Sequence, residues 1–348
     1  MNRAALGVMA AALAAFPARA RAYLHEASPA ELPRPTEIEG QVCGWRIEDP
    51  KAQGSYFRKA QSEPENGSAA VRLEGAASLP RFSPDPARQA LVLPAAERDK
   101  PWLQGPLDRP SVYVGAATAR SQIDAGLAWT RVFQDDDKTK PLYTDNADGC
   151  DHGDAAHRFL ESNKGGKPLE PDFAYRPFWR VTESGGRADD TPHGAVFYPG
   201  DVVAMSLTIE TDDHLALRIE TLSSSTGGRA PFEAAFPAGG FPRVVARVED
   251  RRVFKRVNAL DQYRFDRSAG TISANEGTPA LPTQARARGG VWTAVKLVDA
   301  RGLETPLAGG GCSIVISGAD RGACLPPSVE ASAPKPDGGE AIELSPSR

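Results

Sequence analysis

Apolar and polar residues alternate along much of this chain with the period of two that places successive side chains on opposite faces of a β-strand. In "SQIDAGLAWTRV", Ser121 to Val132, the residues Ile123, Ala125, Leu127 and Trp129 fall on one face. Gln122, Asp124, Gly126, Ala128 and Thr130 fall on the other, which is small and polar and carries one carboxylate. "SVYVGAA" precedes it from Ser111, and "FAYRPFWRV", Phe173 to Val181, follows with Pro177 inside it, which suits an edge strand or a bulge. "DVVAMSLTIE" puts Val203, Met205, Leu207 and Ile209 on one face, and "HLALRIETL" does the same with Leu215, Leu217 and Ile219. The polar turn "TDD" between these two predicts an antiparallel hairpin. "RVVARVED" (Arg243 to Asp250), "RVFKRVNAL" (Arg252 to Leu260), "GGVWTAVKLVD" and "GCSIVISG" complete the series. No stretch has the 3.6-residue periodicity of an amphipathic helix. Strands without intervening helices predict an all-β sandwich or barrel.

The flanking regions read differently. From Tyr23 to about Pro110 the chain is rich in Pro, Ala and Glu, with short pieces such as "QVCGWRI", "AAVRLEG" and "ALVLP". It predicts an irregular extension over 23–104 that packs on a sandwich domain at 105–325. Residues 326–348 have too few apolar side chains to offset the entropy of ordering and predict a disordered tail.

Composition narrows the setting. The 348 residues suffice for a sizeable core, and 33 Gly and 30 Pro suit short strands and turns. A net charge of −4 gives no field for polyphosphate, so nucleic acid is not expected as a partner. "RRVFKR", Arg251 to Arg256, is interleaved with Val253 and Phe254 and reads as the solvated face of a strand. Residues 1–22 combine Arg3, an apolar run from Ala4 to Phe16 and small residues in A-x-A spacing, the pattern of an export signal. That run is shorter than the roughly 20 residues a membrane-spanning helix needs. A secreted or periplasmic monomer with no membrane insertion is expected.

Four cysteines in an exported chain favour two disulfides. Cys312 and Cys324 enclose a short Gly-rich loop, whose closure stabilises by about 3 kcal/mol in the chain-entropy model. Cys43 and Cys150 then pair by elimination, although four cysteines allow three connectivities. A zinc site is the rival, but no C-x-x-C pair occurs.

The order of segments "SVYVGAATARSQIDAGLAW", an aromatic stretch with "PFW", "YPGDVVAMSLTIE", "LALRIETLSSSTGG" and "ARVED" resembles the glutamic peptidases over roughly residues 111–260. These are secreted acid proteases with a concanavalin-A-like jelly-roll fold. The resemblance implies that Asp124 stands where the family has its catalytic glutamine, with Gly126 and Trp129 on its glycine and terminal aromatic. It implies that Glu249 falls on the catalytic glutamate and Asp250 on the acid beside it. An ionised Asp has no proton to donate to an oxyanion, so Asp124 and Glu249 would have to share a proton instead. A second register places "FKRVNALDQ" on the glutamate strand, with Asn258 or Ala259 near the catalytic position and no acid there.

Other chemistry finds less support. The E-x-D-x-x-E strand motif of laminarinase-type glycosidases is absent, as are G-x-S-x-G and a phosphate-binding G-K-[ST]. "YTDNADGCDHGDAAH", Tyr143 to His157, gathers carboxylates and histidines suited to a hard cation, without EF-hand spacing. A solvated loop tied down by Cys150 is the plainer account, and no cofactor is expected. Trp129 and Trp179 lie on candidate strands as stacking platforms for sugar rings, or else as core residues. A curved sheet in such a fold presents a concave groove. The expectation is that this groove binds an extended polymer, foremost a glycan of the envelope or surroundings and otherwise a polypeptide, with catalysis not established and with Gln122, Trp129 and Trp179 as contacts. An acid endopeptidase using Asp124 and Glu249 is the alternative.

Overall fold

The computed structural model describes residues 35–38, 41–47, 54–88, 107–131, 173–183, 186–190, 195–224, 231–266, 268, 271–275, 280–307, 312–317, 329–332 and 335–345. The first strands are β1 (Pro35–Ile38), β2 (Gln41–Ile47) and β3 (Ser55–Ser62), then a short helix α1 (Pro64–Ala69), β4 (Ala70–Ser78) and β5 (Arg81–Ser83). The middle of the chain supplies β6 (Asp108–Ala117), β7 (Ser121–Arg131), β8 (Phe173–Glu183), β9 (Gly186–Asp190), β10 (Val202–Thr211), β11 (His214–Ser223) and β12 (Phe232–Pro237). The last third supplies β13 (Val253–Asp266), β14 (Thr271–Ala274), β15 (Arg286–Asp299) and β16 (Glu304–Pro306). β17 (Cys312–Ser317), β18 (Val329–Ala331) and β19 (Glu340–Leu344) follow.

These strands form the expected two-sheet β-sandwich. A ten-stranded sheet runs β1-β2-β17-β3-β13-β6-β7-β8-β9, with β14 on β13. A nine-stranded sheet runs β12-β11-β10-β4-β15-β19-β18, with β5 and β16 on β15. The hairpin expected across "TDD" forms between β10 and β11. The apolar stripes of both sheets meet in one core, in which Ile123, Ala125 and Leu127 of β7 pack with Val203, Leu207, Leu217 and Trp292 from the other sheet. Pro177 sits where β8 is locally an edge, as expected. β7 covers one side of β8 continuously, and β9 pairs β8 only over Trp179–Glu183, so the missing N–H at Pro177 falls where no strand is in register to accept it.

Three expectations need correction. The region before residue 105 is not merely an irregular extension, because β3 and β4 are interior strands of the two sheets. The tail is not wholly disordered, because β18 and β19 join the nine-stranded sheet. "RVVARVED" is not a strand but a loop ending in a 3₁₀ turn, Val248–Asp250. That loop is fastened by the buried guanidinium of Arg252, which donates to the backbone carbonyls of Gly67, Ser68, Ala70, Pro242 and Arg243. Burial pulls Arg252 down to about 10.

The tail is held by charge as well as by Ile342 and Leu344. Glu340 of β19 is buried and accepts hydrogen bonds from Arg58 of β3 and Arg256 of β13, which tie the two sheets together. Burial alone would raise the Glu340 carboxyl, but the two guanidinium groups outweigh it and hold it below the ordinary range.

β2 and β17 pair in parallel, with Cys43 and Cys312 as Cα partners. Cys150 and Cys324 lie outside the described residues, and so do the expected disulfides, the export signal at 1–22 and the Asp/His-rich loop at 145–157. Among the described residues no helix is long and apolar enough to cross a membrane.

Candidate functional site

Because Ile123, Ala125 and Leu127 point into the core, Gln122, Asp124, Gly126 and Ala128 face outward from the ten-stranded sheet. The register places Asp124 in a row across five strands, Gln61–Lys255–Gly115–Asp124–Arg180. Asp124 and Lys255 lie two strands apart, roughly 9.6 Å at the backbone. Their side chains nevertheless meet, with Lys255 Nζ 2.6 Å from Asp124 Oδ1. Gly115 makes the contact possible: a Cβ there would lie 2.7 Å from Lys255 Cε, 3.3 Å from Asp124 Oδ1 and 2.3 Å from the Ile123 carbonyl oxygen. The exposed Gln122 donates through Nε2 to Asp124 Oδ2 at 3.3 Å.

The next row is Tyr113–Gly126–Phe178. The two rings meet edge to face across Gly126, with centroids 5.8 Å apart and planes at 74°. Beyond them Phe57, Val257 and Ala259 form a small buried cluster against which Tyr113 packs. This face therefore joins a polar row to an apolar strip, with half-buried rings at their boundary.

The structure does not bring Asp124 and Glu249 together. Glu249 lies in the 3₁₀ turn before β13, about half exposed, with Arg247 Nη1 3.9 Å from its carboxylate. Asp250 beside it pairs with Arg120 in the turn between β6 and β7. The strand that does cross the row is β13, as in the second register, and the residue it sets against Asp124 is Lys255. Asn258 points inward and accepts from the Trp292 indole N–H, while Ala259 belongs to the outward cluster.

Neither tryptophan is a platform on this face. Trp129 packs edge to face on Tyr175 in the core, centroids 5.2 Å apart. Trp179 packs against the same core and stacks on Phe236 of the other sheet, centroids 4.9 Å apart and planes at 8°. The pattern held the signal for both: Trp129 continues the apolar stripe of β7, and Trp179 is the register partner of Ala125 on that stripe.

A second group of carboxylates escaped sequence reasoning because its members are far apart in the chain. Asp85 accepts from the backbone N–H groups of Ala87 and Gln284 at 2.7 and 2.8 Å. Asp108 accepts from Arg88, Gln262 and Thr283 at 2.8, 3.0 and 2.7 Å. Burial works to raise the Asp85 carboxyl, yet the backbone donors hold it below the usual range. With both oxygens of each acid engaged, this network fastens segments together and offers no free group for chemistry. Among the described residues no group of three His, Cys, Asp or Glu side chains is placed to hold a metal ion.

No family model matches the chain, and no curated protein does. Solved structures similar to it include scytalido-glutamic peptidase with a peptide-based transition-state analog, at 12% identity and a TM-score of 0.43. The same peptidase with a transition-state analog inhibitor gives 12% and 0.44, and SCP-B, a member of the Eqolisin family of peptidases in a complex with the tripeptide Ala-Ile-His, gives 11% and 0.40. Each comparison covers 84% of this chain and 98% of the other. Glutamic peptidases are the family that the order of strand motifs resembles. At these identities and scores the likeness assigns no residue a role.

Proposed function

We propose that this chain is an exported, non-catalytic binding protein, monomeric, that lays an extended glycan of the envelope or surroundings across the outer face of the ten-stranded sheet. The pairing of Asp124 with Lys255 carries the reading. Hydrolysis by paired carboxyls requires a second acid within reach of the first, to share or exchange a proton. Among the described residues, the charged group paired with Asp124 is the Lys255 ammonium. What remains is a recognition surface: the exposed Gln122 amide, held in place by the Asp124–Lys255 pair, supplies a donor and an acceptor for sugar hydroxyls, and the Tyr113–Phe178 pair beside it suits the C–H face of a sugar ring. Export rests on the charged, apolar and small-residue order of residues 1–22.

A glycan array probed with the full chain tests the proposal, with Gln122→Ala as the companion variant because its exposed side chain is not needed for folding. Specific binding that weakens at least tenfold in the variant is expected. Binding of polypeptide rather than glycan, or a glycan signal indifferent to Gln122→Ala, would overturn the assignment. Cleavage of denatured protein at about pH 3 to 4, where carboxyl dyads work, would overturn the non-catalytic reading.

A further inference from the structure

The outer face of the nine-stranded sheet holds a trough of about 330 Å³. That is near the lower end of the roughly 300–1,000 Å³ typical of ligand sites. Its floor is made of small side chains from three strands, Ala76 of β4, Ala204 and Ser206 of β10, and Ala294 of β15. Its rim is charged. The register runs Lys296–Glu74–Ser206–Arg218 across four strands, and the adjoining row Ala76–Ala204 ends on Glu220.

A bulge builds one side of this trough. Between Thr293 and Lys296 the chain takes three steps along β15 where β4 takes two, from Ala76 to Glu74. Of the residues involved, Val295 is fully buried in the core and Ala294 is left outside on the floor. Ala294 is held at φ 51°, in the left-handed region that non-glycine residues seldom occupy. The bulge returns Lys296 to register opposite Glu74, 3.3 Å from its carboxylate and 2.6 Å from that of Glu304.

The charges are balanced yet not spent. Arg218 and Glu220 stand about half exposed and 3.6 Å apart, longer than a hydrogen bond, so both keep capacity for a guest. A charged guest would have to displace a partner from a pair. Neutral hydroxyls do not: each donates to a carboxylate while accepting from an ammonium or guanidinium. The methyl groups of the floor suit the C–H face of a sugar ring. We infer that this trough is a second saccharide site, for an uncharged oligosaccharide lying across β11, β10, β4 and β15. It lies on the opposite side of the sandwich from Asp124 and does not depend on the reading of that face.

The test is calorimetric titration of the full chain with two probes, the α-linked and the β-linked hexamer of glucose, and with the variants Glu220→Ala and Ala204→Trp. Glu220→Ala removes an exposed acid and spares the fold, and Ala204→Trp fills the trough. Saturable binding of at least one hexamer, weakened at least tenfold by each trough variant and not by Gln122→Ala, is expected. No saturable binding of either hexamer overturns the inference. Binding that is lost in Gln122→Ala and kept in both trough variants also overturns it, while supporting the first face as the sugar site.

Discussion

On the ten-stranded sheet Asp124 and Lys255 meet with side chains 15% and 6% exposed, whereas on the nine-stranded sheet Arg218 and Glu220 are 53% and 50% exposed. Both are pairs of opposite charge on outward faces of interior strands. The difference lies in what stands around them. Asp124 and Lys255 close over a glycine, in contact at 2.6 Å, and are largely withdrawn from water, so each is committed to the other. Arg218 and Glu220 look over a floor of alanines, 3.6 Å apart, and remain available. Similar side chains thus serve as a clasp in one setting and as a receptor in the other, depending on the size of the residues between and beside them.

The largest test of this contrast strikes beneath both faces at once. Glu340→Gln leaves two buried guanidinium groups facing a neutral amide and should cost about 3–5 kcal/mol in denaturant unfolding, with both faces lost together. The same residue sets an acid limb. Its folded carboxyl lies below the ordinary value of 4.5, so its contribution is complete above that pH and is lost as pH falls through the lower folded value. A stability profile of the wild type should fall on the acid side, and the profile of Glu340→Gln should lack that share of the fall.

A smaller effect, confined to the clasp, is expected of Gly115→Val. The new side chain would press on the Ile123 carbonyl and on Lys255, costing about 1–3 kcal/mol by overpacking. Glycan binding at the first face should fall while hexamer titration of the trough does not change. An equal loss at both sites would show that the faces are not independent. Smallest of all, Arg218→Ala and Glu220→Ala should move stability by less than about 0.5 kcal/mol, since their pair is exposed. A larger thermal shift in either would show that the trough pair is structural, as the clasp is.

Much of the fold was legible because alternation is local. The stripes of β7, β10 and β11 predicted their own inward faces, and the short turn predicted the hairpin. β3 was not legible in the same way. Its inward face reads Tyr56, Arg58, Ala60, and an arginine on that stripe makes sense only with Glu340, 282 residues later. For the same reason "EAIEL" looked too polar to order, since its buried acid is satisfied by side chains no local pattern contains. "RVVARVED" misled in the opposite direction. Its apolar positions imitate a strand, but no neighbouring strand pairs with it, and Val244 and Val248 are left 78% and 75% exposed. At the candidate site, the acid at Asp124 was legible and its partner was not, because Glu249 reads as part of a strand yet lies in a turn, and Lys255 reaches Asp124 from β13, two strands away. The trough was hidden for a related reason: its four strands come from three distant parts of the chain, and the bulge at Ala294 shows only as a single shift of phase, from Trp292 to Val295.

The carboxylate of Glu340 also has an order of arrival. Arg58 and Arg256 leave the ribosome well before it, so a chain made from its N-terminus holds two core cations without their counter-charge until β19 has been made. Chains cut short before β19 should stay open and protease-sensitive, and those that include it should close. Pulse-chase proteolysis of nested truncations reads that threshold directly. β19 thereby acts as the strand whose arrival licenses closure of the sandwich.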